Sequence, residues 1–79
     1  MWYFTIRKAE ISNTQYQRLQ KMAALTEVEV FNEPYENQCL FEVEKEGYRD
    51  FVDYLDLEGI QYEVSPDKPS RDQLLEGMR

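Results

Sequence analysis

The chain is predicted to fold as a single α+β domain of βαββαβ order, and three observations predict it. Four segments alternate with period two, two segments space their apolar residues three and four apart, and turn and cap residues fall between them. Residues 2–7, Trp-Tyr-Phe-Thr-Ile-Arg, form the first strand, with Trp2, Phe4 and Ile6 on one face. Ser12 then caps a helix. Gln15, three residues on, completes a capping box, and Ile11 and Tyr16 form a hydrophobic staple. This helix is expected to run to about Leu25, with Tyr16, Leu19, Met22 and Ala23 turned to the core.

Residues 27–31 and 38–44 alternate again, and the turn formers from Asn32 to Asn37 join them as a hairpin. A second helix is expected from about Gly47, carrying Tyr48, Phe51, Val52 and Leu55 on its inner face and ending at Gly59. Residues 60–65 form a fourth strand. Asp67-Lys68-Pro69 breaks the pattern, and Ser70 with Gln73 makes another capping box. It opens a short helix bearing Leu74, Leu75 and Met78, which must pack on something because so few turns do not hold alone. Residues 1–66 are thus the expected domain and 67–79 a C-terminal helical extension.

Composition narrows the chemistry. A chain of 79 residues has room for one domain and a small core, which its 14% aromatic content helps to fill. Cys39 is the only cysteine and histidine is absent, so an internal disulfide and a Cys/His zinc site are both excluded. Cys39, in the apolar run Cys39-Leu40-Phe41, is expected in the core. Three glycines, at 47, 59 and 77, supply no phosphate-cradling loop. The acids on the second helix, Asp50, Asp53 and Asp56, lack the glycine-bent loop of a calcium site and are expected to face solvent. No catalytic residue, metal or cofactor is expected, and the chain is not expected to be an enzyme. Met1-Trp2-Tyr3-Phe4 lacks a basic leader, and no apolar run approaches the roughly 20 residues that span a bilayer; the expected location is cytoplasmic, without a membrane partner.

The net charge of −7 is regional. Residues 1–26 carry +3, residues 27–64 carry −10, and the remainder balances. If Trp2, Phe4, Ile6, Val28, Val30, Cys39, Phe41, Val43, Ile60, Tyr62 and Val64 face the helices, period two puts Tyr3, Thr5, Arg7, Glu27, Glu29, Phe31, Leu40, Glu42, Glu44, Gln61 and Glu63 on the opposite face. Five glutamates then share a face with one arginine. Such a face keeps a sheet wet and its edges unpaired, and it is also suited to meeting a basic partner. Glu27, Glu29, Phe31, Tyr35, Glu42, Glu44, Asp50, Asp53, Tyr54 and Glu63 are the candidate contact residues. Tyr35 is placed in the hairpin loop and Tyr54 on the outer side of the second helix, and together with Phe31 and Leu40 they act as apolar anchors.

The β-α-β-β-α-β order resembles the ferredoxin-like sandwich, in which two helices cover one face of a four-stranded antiparallel sheet. The fold alone decides no function. RNA-recognition modules of this topology present basic and aromatic residues on the open sheet, whereas the segment 37–44 presents carboxylates that repel phosphate; direct nucleic-acid binding is not expected. The Lys8-Ala9-Glu10-Ile11 turn lacks the phosphate loop that acylphosphatases place after strand 1, and also the glycine that ACT-type ligand-binding domains place there. Size and charge resemble the small acidic phage and mobile-element proteins that block host polymerases, nucleases or CRISPR effectors. The resemblance implies an inhibitor or adaptor docking on a basic surface of a larger protein, such as one that holds nucleic acid. The alternative is an ACT-like small-molecule-sensing domain acting as a homodimer; monomer and homodimer both remain open.

Overall fold

The computed structural model describes residues 1–77; Met78, expected on the last helix, lies outside them. Strands β1 (Trp2–Arg7), β2 (Leu25–Glu29), β3 (Gln38–Val43) and β4 (Glu63–Ser65) alternate with helices α1 (Asn13–Met22) and α2 (Tyr48–Glu58), and α3 (Arg71–Gly77) follows. The sheet order is β2-β3-β1-β4, and every neighbouring pair is antiparallel. A strand of the other unit therefore separates the two strands of each β-α-β unit, which is the split arrangement of an α+β sandwich.

The register pairs Phe4 with Phe41 and Ile6 with Cys39, so the two central strands offer one apolar face. Leu19 of α1 and Phe51 and Leu55 of α2 close over it, together with Val43 and Ile60. Aromatic rings fill most of the space: Phe4 lies 4.6 Å from Phe51 and 5.5 Å from both Tyr48 and Tyr62, and Phe41 lies 5.5 Å from Phe51. Cys39 is fully buried here, and burial pushes its thiol above the ordinary value, which makes it a poor nucleophile.

Local signals set the helix ends. The Ser12 hydroxyl accepts from the Gln15 amide at 3.2 Å and the Gln15 side chain accepts from the Ser12 amide at 2.9 Å. At the end of α2, Gly59 takes φ 69°, and the Ile60 amide reaches back to the Leu55 carbonyl at 2.9 Å, the Schellman closure. That closure shortens β4: Ile60 turns inward as part of the cap, and pairing begins at Glu63 instead of residue 60. Helix α1 likewise stops at Met22, short of Leu25. The Ala24 amide bonds to the Glu42 carbonyl at 2.8 Å, drawing the chain into β2 two residues earlier than alternation alone suggests.

Two helices reach across the central strands but not the edges. Val28, Val30 and Val64, expected beneath the helices, are 38%, 62% and 39% exposed because β2 and β4 project past them. Thr26, on the helix side of β2 opposite Phe41, has a buried hydroxyl oxygen with no hydrogen-bond partner among the described residues. An unsatisfied buried hydroxyl costs about 1–3 kcal/mol. Thr26→Val keeps the β-branched shape without the hydroxyl, so it should raise stability by about 1 kcal/mol, seen as a higher urea midpoint; an unchanged or lower midpoint would show that the oxygen is satisfied.

One strand departs from the two-layer pattern. A sheet with one face in water buries alternate residues, yet on β3 Gln38, Cys39, Leu40, Phe41 and Val43 are all buried. Gln38 and Leu40 lie on the face opposite α1 and α2, and Gln38 lines a groove together with Pro69, Gln73 and Leu74 of the segment that follows β4.

Candidate protein-binding face

On the second face, cross-strand register lines up Glu29 with Gln38, Glu27 with Leu40 and Leu25 with Glu42, and β1 adds Arg7, Thr5 and Tyr3 opposite the same three residues of β3. On the other side of β1, Glu63 pairs with Thr5 and Ser65 with Tyr3. The predicted acidic face therefore exists in its expected parity. Glu44 is the exception: β3 ends at Val43, and Glu44 leads into a 3₁₀ turn at Lys45–Gly47, past the ladder.

Four carboxylates on one sheet face repel unless cations intervene, and here the chain supplies them. After β4 it turns at Pro66 to Pro69 and crosses the face. Lys68 Nζ sits 3.1 Å from Glu27, and Arg71 Nη1 sits 2.8 Å from Glu29. The Glu27 carboxylate holds the Lys68 amine above its usual value, through the hydrogen bond it accepts and through its charge. Arg71 Nη2 also donates to the Val30 carbonyl at 2.7 Å, and the guanidinium lies 4.3 Å from the Phe31 ring centroid. Ser70 and Gln73 close the expected capping box, with bonds of 2.7 and 3.2 Å, and start α3. Leu74, three residues beyond Arg71, is buried.

Phe31 and Leu40, expected as exposed anchors, are 8% and 3% exposed, and Arg71 of this segment lies over the Phe31 ring. Phe31 is fixed from below as well, its amide donating to Asn37 Oδ1 at 3.0 Å. Glu42 and Glu63 make no ion pair among the described residues. Glu42 instead sits opposite Tyr3 in the ladder; desolvation raises that phenol, and the carboxylate raises it further.

The remaining candidates lie elsewhere. Asp50 and Asp53 are exposed on α2, across the core from the sheet's second face. Tyr54 is not on the outer side of α2. It packs against the core with the Arg18 guanidinium 5.9 Å from its ring centroid, and its hydroxyl lies 3.4 Å from Glu58. Desolvation, and then Glu58, raise its phenol. The apolar residue that does point outward is Leu57, 82% exposed at i+7 from Asp50. Helical phase counted from Phe51 and Leu55 carries the signal that identifies it. Tyr35 is half-buried in the hairpin loop, where Glu36 meets Arg7 at 3.5 Å. The ten candidates thus divide between two sides of the molecule.

Beside α3 a groove of about 310 Å³ opens over β1 and β4, lined by Thr5, Arg7, Gln38, Gln61, Glu63 and Gln73 among others. Among the described residues no three His, Cys, Asp or Glu side chains are grouped to hold a metal ion, and no helix is long and apolar enough to cross a membrane. Against protein-family models, curated proteins and solved structures alike, this chain finds no match.

Proposed function

We propose that this chain is a non-enzymatic, acidic protein-binding module, an inhibitor or adaptor that docks through the second face of its sheet on a basic surface of a larger protein. One observation carries this reading. The face already holds two cations and an apolar side chain, with Lys68 on Glu27, Arg71 on Glu29 and Phe31, and Leu74 buried beside them. Glutamates around aromatic and aliphatic anchors give a cationic segment both steering and a desolvated centre. A surface that otherwise holds nucleic acid offers a partner of that chemistry.

Charge reversal at the two sheet-face acids outside the intramolecular ion pairs tests it. Glu42→Lys with Glu63→Lys should weaken recovery of a partner from lysate by about tenfold, equivalent to 1.4 kcal/mol, and the wild-type complex should loosen at high salt. Asp50→Lys with Asp53→Lys should leave recovery unchanged. The reverse pattern would move the contact to α2 and sink the sheet-face assignment. The groove beside α3 favours a second reading, an ACT-like small-molecule sensor, since its volume suits a small ligand; salt-insensitive binding of such a ligand would favour that reading.

A further inference from the structure

We infer that the second sheet face is a receptor for a protein segment patterned basic-x-x-basic-x-x-aliphatic, and that Lys68, Arg71 and Leu74 are a resident competitor which such a segment displaces. The inference rests on the sheet-face reading above and adds the partner's pattern and the competition.

The pattern comes from the contacts. Glu27 and Glu29 are two apart on one strand and so project from the same side. Lys68 meets Glu27 from the non-helical stretch before α3, and Arg71, the first residue of α3, meets Glu29; within the helix, residues three apart share a face. Leu74 continues that face by another three. Asp72 lies between these positions and Asp67 and Glu76 flank them, all three exposed, so the segment as a whole is not basic. Its fit resides in three side chains.

Displacement follows from how lightly the segment is held. Helix α3 is a seven-residue element with one buried side chain, Leu74, and Lys68 and Arg71 are about half exposed. Exposed ion pairs hold weakly and exchange quickly. What keeps the segment in place is burial of Leu74 together with its tether: a short linker gives it an effective concentration in the millimolar range. An external segment with the same three groups, presented on a larger surface with further contacts to Glu42 and Glu63, outcompetes it. While the resident segment is docked it also shields Phe31 and Leu40 from unrelated apolar surfaces.

The test uses the full chain and a synthetic peptide of residues 66–77 as probe, titrated to millimolar concentration and followed by amide shifts at Glu27, Glu29 and Leu40. Lys68→Gln with Arg71→Gln should bind the probe at least fivefold more tightly than wild type, with shifts confined to that face. Adding Glu27→Lys and Glu29→Lys should abolish binding, and a probe with Arg71 moved by one position should bind poorly. Lys68→Glu with Arg71→Glu, checked for an unchanged far-ultraviolet spectrum, serves as a second variant. Equal binding by wild type and both variants, or binding by none, would overturn the competition. If that happened while Glu42→Lys with Glu63→Lys still weakened partner recovery, the sheet-face reading would stand and this inference alone would fall.

Discussion

Phe4→Ala should lower the free energy of unfolding by about 3–5 kcal/mol, the cost of removing a fully buried aromatic ring. Phe4 sits at the centre of the ring cluster, touching Tyr48, Phe51 and Tyr62, so no single neighbour is able to relax into the space. At about 0.05–0.15 kcal/mol per residue, a 79-residue chain has roughly 4–12 kcal/mol in total. The variant should therefore be largely unfolded in mild denaturant, with a urea midpoint far below that of wild type. Tyr35→Ala, a change in the hairpin loop, should cost about 0.5 kcal/mol or less. A midpoint for Phe4→Ala close to that of Tyr35→Ala would mean that the ring cluster does not anchor the core.

Leu74→Ala should have the second largest effect, about 2 kcal/mol, at the low end for a buried leucine because its site is a surface layer. The loss should be local. A seven-residue helix does not persist undocked, so α3 should detach instead of leaving a cavity, and hydrogen exchange at residues 71–77 should rise towards the unprotected rate. Amides of β1 and β3 should keep their protection. Lys68→Gln alone should cost less, because exposed ion pairs hold weakly. The leucine thus supplies most of the holding energy and the cations fix where the segment sits. If Leu74→Ala lowered protection across the whole sheet, α3 would be an integral third layer, and displacement by a partner would be implausible.

The distribution of legible and illegible features has a physical basis. Strand parity was legible because it depends on chain geometry: once Phe4 and Phe41 face the helices, Glu27, Glu29, Glu42 and Glu63 must face away. The caps at Ser12, Ser70 and Gly59 were legible because each is a bond between residues within a turn of one another. The end of α1 and the start of β4 were not. A bond from Ala24 to a distant strand set the first, and competition between a helix cap and a strand set the second. The inward position of Tyr54 follows from helical phase, since it lies three residues beyond Phe51 on the same face, and the same phase turns Leu57 outward.

The largest gap concerned the acidic face. Local sequence shows how many carboxylates lie on it but says nothing about which cations approach from 40 residues away. Lys68 and Arg71 looked like part of a balanced tail, and only the path of the chain after β4 brought them onto Glu27 and Glu29, covering Phe31 and Leu40. By itself the sequence determined the α+β class, the element order, the central apolar strands and the side of the sheet that carries the glutamates, because periodicity and short-range bonds act within a few residues. Tertiary structure alone decided what lies over that side, because docking of a marginal helix depends on weak contacts between distant parts of the chain that no local pattern records.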